Sequence, residues 1–233
     1  MKISKLTAVL AAAIALPLGV GVQSAGAAVG SGAAAGSGVA ASASAAVAAP
    51  AGALDQCSAT YYNGDYRLGP AQLPVFGLVG FELIGYRRSG DLTDSQLLAQ
   101  YYDSSTSSWI YPPDNGYLIV GGQPVEYVTT LLPGQDIDRY GSEYGSFLAP
   151  TGLPYASRSI PPQSLDSTPA GSCNYHDYQV LKPFSVDAGP IAPWFGQPGY
   201  GLQYQLNAAL VPGDPAQFNV MWLVNNGYLA RIN

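Results

Sequence analysis

The sequence is poor in the residues that catalytic and metal sites use most often. It has one histidine (His176) and two cysteines among 233 residues, and only 10% of its residues are charged. A zinc site built on several imidazoles is therefore excluded, and a Ser-His-Asp triad would have to use His176. Asp177 follows directly, so in a strand the two side chains would point to opposite faces. The G-x-S-x-G, H-E-x-x-H and P-loop motifs are also absent, which disfavours the enzyme classes that these motifs mark.

Positive charge is scarce as well. Nine Lys and Arg residues stand against fifteen Asp and Glu residues, which gives a formal net charge of −6. Proteins that bind nucleic-acid backbones or anionic membrane surfaces need basic patches. We therefore expect no nucleic-acid partner and no membrane partner for the mature protein.

The first residues have the pattern of a secretory signal peptide. Lys2 and Lys5 precede an apolar run over residues 6–22, and Ala25-Gly26-Ala27 supplies the small residues that a signal peptidase needs. An N-terminal membrane anchor is the alternative, but the run is short and rich in alanine. Cleavage after Ala27 would remove both lysines and change the net charge from −6 to −8. The pattern predicts a secreted protein, either extracellular or associated with the cell surface.

Residues 28–53 consist almost entirely of Ala, Gly, Ser and Val. They have no charged or aromatic side chain, so they cannot bury enough surface to offset the entropy of ordering. We predict a flexible linker there and one compact domain over residues 54–233.

Frequent glycine, proline and tyrosine in this domain, with few helical patterns, predict an α+β fold with a small, mainly antiparallel β core and short helices. The clearest helix pattern covers residues 93–102, with Asp91 or Thr93 as cap. A second helix is predicted over residues 215–224. Predicted strands cover residues 117–120, 129–132, 179–184, 202–206 and 227–232.

Cys57 and Cys173 are the only cysteines. In a secreted chain an even number of cysteines predicts one disulfide, which would join the start of the domain to its middle. For a loop of this length the chain-entropy model gives about 4–5 kcal/mol of stabilisation. A catalytic thiol is the alternative interpretation.

Residues 138–150 contain an arginine, two acids, three aromatics and two glycines in thirteen positions. Gly141 and Gly145 allow backbone conformations closed to other residues, so the segment is interpreted as a strand that leads into a shaped loop. Arg139 in such a loop is a candidate anion ligand. An edge turn with a surface arginine is the alternative.

Several short motifs occur in a fixed order along the domain. They are R-L-G-P from Arg67, W-I-Y-P-P-D-N-G-Y from Trp109, D-R-Y-G-S-E-Y-G from Asp138, R-S-I-P-P from Arg158, Y-H-D-Y from Tyr175, and A-P-W-F-G-Q-P-G-Y-G-L-Q-Y from Ala192. Together they resemble the tuberculosis necrotizing toxin family of NAD glycohydrolases, and especially its fungal extracellular members. The resemblance covers about residues 61–204.

The resemblance implies hydrolysis of the bond between nicotinamide and ribose in NAD(P)+, with no required cofactor. Nicotinamide leaves readily from its cationic form, so the enzyme must mainly orient the substrate, stabilise oxocarbenium character and place a water. Arg139 and Gln203 are the implied catalytic residues. Arg158 is a second donor to phosphate or ribose oxygens. Gln197 is the alternative glutamine, although a structural role in a turn suits it better.

Aromatic residues and the histidine complete the implied site. Tyr140, Phe147 and Tyr117 are expected to contact substrate, and His176 has a supporting role. Trp194 and Phe195 could line the same slot, but core packing is the preferred role for Trp194. Phe147 occupies a position where the family often has tyrosine, so its contribution is expected to be stacking.

Further expectations concern Glu143, calcium, the oligomeric state and the alternative functions. Glu143 is interpreted as a loop-bracing partner for an arginine or a backbone amide, not as the catalytic acid. Calcium binding and a homodimer occur in fungal relatives, although the sequence shows no convincing set of oxygen ligands for calcium. ADP-ribosyl transfer or cyclisation, and a non-catalytic extracellular surface-binding module, are the alternative functions.

Overall fold

The computed structural model describes residues 54–211 and 215–232. The predicted signal peptide (1–27) and linker (28–53) lie outside the described residues. Within the described part there are three α-helices, α1 (Gly77–Glu82), α2 (Asp94–Tyr101) and α3 (Val220–Asn225). None of the helices described is long and apolar enough to cross a membrane.

Eleven strands are found in the same part of the chain. They are β1 (Tyr102–Asp103), β2 (Ser108–Trp109), β3 (Ile119–Val120), β4 (Gln123–Pro124), β5 (Tyr127–Leu131), β6 (Asp136–Tyr140), β7 (Phe147–Pro150), β8 (Tyr175–Val180), β9 (Phe184–Pro190), β10 (Leu202–Gln205) and β11 (Leu229–Arg231). Short 3-10 helices cover Tyr62–Gly64, Tyr66–Leu68, Asp114–Gly116, Tyr155–Arg158, Pro162–Leu165, Ala170–Ser172 and Ala208–Leu210.

Seven strands form one sheet, in the order β11-β8-β6-β7-β10-β9-β5, and every neighbouring pair is antiparallel. The pairs β1–β2 and β3–β4 form two small separate ribbons. The predicted class, an α+β fold with a mainly antiparallel β core and few helices, is confirmed.

The largest core lies between one face of this sheet and α3. In β9, Phe184, Val186 and Ala188 are buried while the residues between them are more exposed, which is the two-residue period of a half-buried strand. These side chains belong to the same cluster as Val220 and Leu223 of α3. Tyr140 and Tyr175, which pair across β6 and β8, belong to a second buried cluster.

Two local predictions are confirmed in detail. The helix predicted over residues 93–102 corresponds to α2, and Thr93 forms a capping box with Gln96 that binds the free backbone N–H groups of the first turn. Cys57 and Cys173 form a disulfide, and both are buried in a second cluster that contains Tyr140, Tyr155 and Tyr175.

Strand positions were predicted less accurately. The strand predicted over residues 179–184 is wrong, because β8 ends at Val180, β9 begins at Phe184 and a turn containing Lys182 connects them. Helix α3 begins at Val220, so the first part of the helix predicted over residues 215–224 is wrong. In the strand predicted over residues 117–120, only Ile119 and Val120 are paired as a strand, while Tyr117 forms an isolated bridge with Ile191. Strands β5, β10 and β11 overlap their predicted ranges.

Candidate active site

A small cleft lies where β6 and β7 separate. These two strands are paired only at Ile137–Pro150 and Asp138–Ala149, and the chain between them forms the loop at residues 141–146. Ten residues line the cleft, and five of them are predicted site residues: Arg139, Tyr140, Phe147, Arg158 and Gln203. The other five are Asp138, Leu148, Ala149, Ile160 and Ile191. The fold thus brings both predicted catalytic residues to one cleft, although they are far apart in the sequence.

Gln203 is held in β10 with its amide in a fixed direction. Its Nε2 donates a hydrogen bond of 3.0 Å to the carbonyl oxygen of Asn115. The side chain is only 8% exposed. Because the amide nitrogen is engaged, Oε1 is the atom left to accept a hydrogen bond from a ligand.

Arg139 is folded into the loop that follows it. Its Nε donates to the carbonyl oxygen of Ser142 at 2.6 Å, and its Nη1 donates to that of Phe147 at 2.7 Å. Nη2 lies against Gly145, where a Cβ atom would be only 1.9 Å away. Gly145 is therefore required for close packing with the guanidinium group, and Nη2 is the arginine nitrogen without a hydrogen bond in the described part of the chain. Burial lowers the pKa of Arg139, but an arginine remains charged at any physiological pH.

Arg158 lies in the cleft wall, but its guanidinium group is engaged by two buried acids. Nη1 and Nη2 bind the carboxylate of Asp138, the second at 2.7 Å, and Nη2 also donates to Glu82 at 3.0 Å. Nε donates to the carbonyl oxygen of Leu153. Each of the three nitrogens thus has a partner within the protein, so contact with a substrate would require sharing or exchange of these bonds.

Glu82 in α1 completes this buried group and was missed by the sequence analysis. Its carboxylate accepts hydrogen bonds from the Tyr140 hydroxyl at 2.8 Å and from the backbone N–H of Gly152 at 2.9 Å. A single acid within the apolar segment G-L-V-G-F-E-L-I-G was the available signal, since an acid in such a segment needs a partner when it is buried. Tyr140 therefore lines the cleft while its hydroxyl is bound to the buried carboxylate of Glu82.

The side chain of Glu82 gains or loses its proton near neutral pH. Burial raises the pKa of its carboxyl to about 7, with Asp138 adding to the rise and Arg158 opposing it. In the unfolded chain the pKa is near 4.5. Between these values the folded protein binds more protons than the unfolded one, so the contribution of Glu82 to stability falls as pH rises through about 7.

We expect the Glu82→Gln variant to lose this pH dependence. The wild-type free energy of unfolding should fall by about 1 kcal/mol more than that of the variant between pH 6 and pH 8, because glutamine does not titrate. Thermal unfolding of both proteins at the two pH values measures this difference, and other titrating groups cancel because both proteins contain them. Parallel changes of Tm in the two proteins would contradict the assignment.

The two other predicted site residues, His176 and Tyr117, are not among the residues that line the cleft. His176 in β8 is paired with Arg139 across the sheet, and burial lowers its pKa. Tyr117 is 1% exposed and its hydroxyl has no hydrogen bond in the described region. Burial raises the pKa of that hydroxyl, and the nearby Gln203 amide opposes the rise.

Three residues of the A-P-W-F-G-Q motif, Trp194, Phe195 and Gln197, make contacts inside the fold. Phe195 is fully buried in a cluster with Leu68 and Leu97, and Trp194 packs against that cluster. Gln197 donates from Nε2 to the carbonyl oxygen of Arg87 at 2.7 Å. None of the three lines the cleft, as expected for the packing role preferred for Trp194 and the structural role preferred for Gln197.

The described residues contain no group of three or more His, Cys, Asp or Glu side chains close enough to hold a metal ion.

The fold and the cleft define an α+β domain with a polar and aromatic cleft between two diverging strands. Comparison with known proteins is consistent with this description. The family model described as tuberculosis necrotizing toxin matches residues 130–232. The conidial surface nicotinamide adenine dinucleotide glycohydrolase of Aspergillus fumigatus is 42% identical over 178 residues, which cover 75% of this chain and 72% of that protein. The chain belongs to the tuberculosis necrotizing toxin family.

Two solved structures are also similar. Tuberculosis necrotizing toxin in complex with its immunity factor is 21% identical, with a TM-score of 0.46 and coverage of 60% of this chain and 71% of that one. Rhs1-CT in complex with its cognate immunity protein is 14% identical, with a TM-score of 0.30 and coverage of 46% and 77%.

Proposed function

We propose that this protein is an NAD(P)+ glycohydrolase that cleaves the nicotinamide–ribose bond and releases nicotinamide and ADP-ribose. The observation that carries the proposal is that Gln203, Arg139 and Phe147 line a single cleft. The 42% identical relative from Aspergillus fumigatus, named as an NAD glycohydrolase, supports it.

Cleavage of the nicotinamide–ribose bond needs little general acid catalysis. The nicotinamide ring is cationic in NAD, so it leaves as a neutral molecule when the glycosidic bond breaks. The ribose carbon then gains oxocarbenium character, and a water must add to it. Groups that orient the ribose and the water, and that stabilise the positive charge, account for the catalysis.

Gln203 suits this task because its direction is fixed before substrate binds. With Nε2 bound to Asn115, Oε1 can accept a hydrogen bond from a ribose hydroxyl or from the attacking water. The partial negative charge on that oxygen also favours a developing cation. Gln203 is therefore assigned as the catalytic residue that contacts the reacting ribose.

Arg139 contributes in two ways. Two of its nitrogens hold the loop at residues 141–146, and Nη2 is left as a charged donor for a substrate phosphate or ribose oxygen. Phe147 begins β7 beside this arginine and offers an aromatic surface for nicotinamide or adenine. The substrate-binding roles of Arg158, His176, Tyr117 and Tyr140 are supported by position only, and for Arg158 and Tyr140 the buried network provides a structural role as well.

We further propose that the protein acts outside the cell after removal of residues 1–27, as the conidial surface location in the name of its relative suggests. A homodimer stays a prediction that rests on the resemblance alone.

The proposal is tested by incubating the purified mature protein with NAD labelled in the adenosine part. We expect equal amounts of nicotinamide and ADP-ribose, with little cyclic product and no label on protein. Label on protein would show that the reaction is ADP-ribosyl transfer, and an excess of cyclic ADP-ribose would show that it is cyclisation. If neither NAD nor NADP released nicotinamide, the proposed activity would be refuted, and the non-catalytic surface-binding module would be the remaining function.

A further inference from the structure

The loop at residues 141–146 is positioned from two sides. On the inner side Arg139 binds the carbonyl oxygens of Ser142 and Phe147. Because β6 and β7 are paired at only two positions, the strand ladder does not fix this loop. Its shape must come from contacts with neighbouring elements.

Two backbone hydrogen bonds hold the ends of the loop, from the N–H of Gly141 to Asn174 and from the N–H of Leu206 to Ser146. On the outer side the side chain of Glu143 adds further contacts. Its Oε1 accepts hydrogen bonds from the Tyr178 hydroxyl at 2.7 Å and from Arg231 Nε at 2.8 Å, and its Oε2 accepts from Arg231 Nη2 at 2.7 Å. Tyr178 lies in β8, and Arg231 lies at the end of β11. The Glu143–Arg231 pair is bidentate, a geometry that fixes orientation as well as distance.

The backbone of the loop is tied to the same part of the fold. The N–H of Met221 donates to the carbonyl oxygen of Glu143 at 2.8 Å, and the N–H of Val220 donates to that of Gly145 at 3.1 Å. The first residues of α3 thus bind the loop that packs against Arg139. A shift of Glu143 would be transmitted to Arg139 within a few residues.

We propose that Glu143 is a positioning residue, which uses its ion pair with Arg231 to hold the loop so that Arg139 and Phe147 face the cleft correctly. The proposal rests on the proposed glycohydrolase function and adds the C-terminal strand to the parts of the fold that the reaction needs. The side chain of Glu143 is 13% exposed and that of Arg231 is 41% exposed, so solvent screens the pair in part. Its loss should therefore affect the geometry of the site more than the stability of the fold.

The test compares Glu143→Gln, Arg231→Gln and the double variant. Each single change should lower kcat/KM for NAD by about tenfold, since small displacements of a positioned group reduce catalysis strongly. The double variant should be no worse than either single one, because the two residues act as a unit. Tm should stay within about 3 °C of the wild type. Amide hydrogen exchange at Val220 and Met221 should become faster, while exchange in β9 stays unchanged.

A matched control is provided by Arg87, which forms an ion pair of 2.6 Å with Asp91 on an exposed part of the surface. Arg87→Gln should leave kcat/KM unchanged. Near-normal kcat/KM in both single variants would overturn the proposal, as would losses that follow a fall in Tm or that multiply in the double variant. If the wild type itself cleaves no NAD, the proposed function falls, and unchanged exchange at Val220 and Met221 would then refute the role of the pair in holding the loop.

Discussion

Replacing Gln203 by alanine is expected to lower the rate of NAD cleavage by about a hundredfold or more. Removal of one fixed polar group that stabilises developing charge typically has an effect of this size. In the described part of the chain the Gln203 side chain makes one hydrogen bond, to Asn115, so the fold should remain intact. Steady-state kinetics on NAD, with circular dichroism to check folding, measure the effect.

Gln205 offers a matched control in the same strand. It lies two residues further along β10, on the same face of the sheet, but it does not line the cleft. Gln205→Ala should keep nearly normal turnover. Equal losses in the two variants would show that the effect comes from the strand and not from the Gln203 amide.

Replacing Arg158 by methionine is expected to destabilise the protein by about 3–5 kcal/mol at neutral pH, because it leaves the buried acids Asp138 and Glu82 without their cationic partner. All three side chains are at most 6% exposed. Urea unfolding at pH 7 measures the change. The loss is large compared with the total stability of a typical domain.

A neutral version of the same network serves as the control. The triple variant Arg158→Met, Glu82→Gln, Asp138→Asn carries no buried charge, so it should recover a substantial part of the lost stability. A single Arg158→Met variant with wild-type stability and a raised KM for NAD would contradict this account. It would show instead that Arg158 is mainly a substrate ligand, as the resemblance implies.

The parts of the fold that could be predicted depend on local signals. Helix α2 follows from the apolar pattern and the Thr93–Gln96 capping box, and both are visible within a few residues. The disulfide follows from the number of cysteines and the secretory context. The strand predicted over residues 179–184 failed because Val180, Leu181 and Phe184 give one short apolar pattern, although a connection containing Pro183 separates the end of β8 from the start of β9.

In the candidate site, too, only features with a local sequence signal could be predicted. Motifs identified Arg139, Phe147 and Gln203, and the fold brings them to one cleft. The interaction of Glu82 with Arg158 spans 76 residues, and that of Glu143 with Arg231 spans 88. No local pattern encodes such pairs, because they arise only when the sheet is assembled. The R-S-I-P-P motif therefore predicts a substrate role for Arg158, while its internal partners are visible only in the structure.

The central claim is that this cleft hydrolyses the nicotinamide–ribose bond through Gln203. The most direct measurement quantifies nicotinamide and ADP-ribose released from NAD by the wild type and by Gln203→Ala under the same conditions. The account predicts equal amounts of both products from the wild type and a loss of about a hundredfold or more in the variant. Absence of nicotinamide release by the wild type, or equal release by the two proteins, would contradict it.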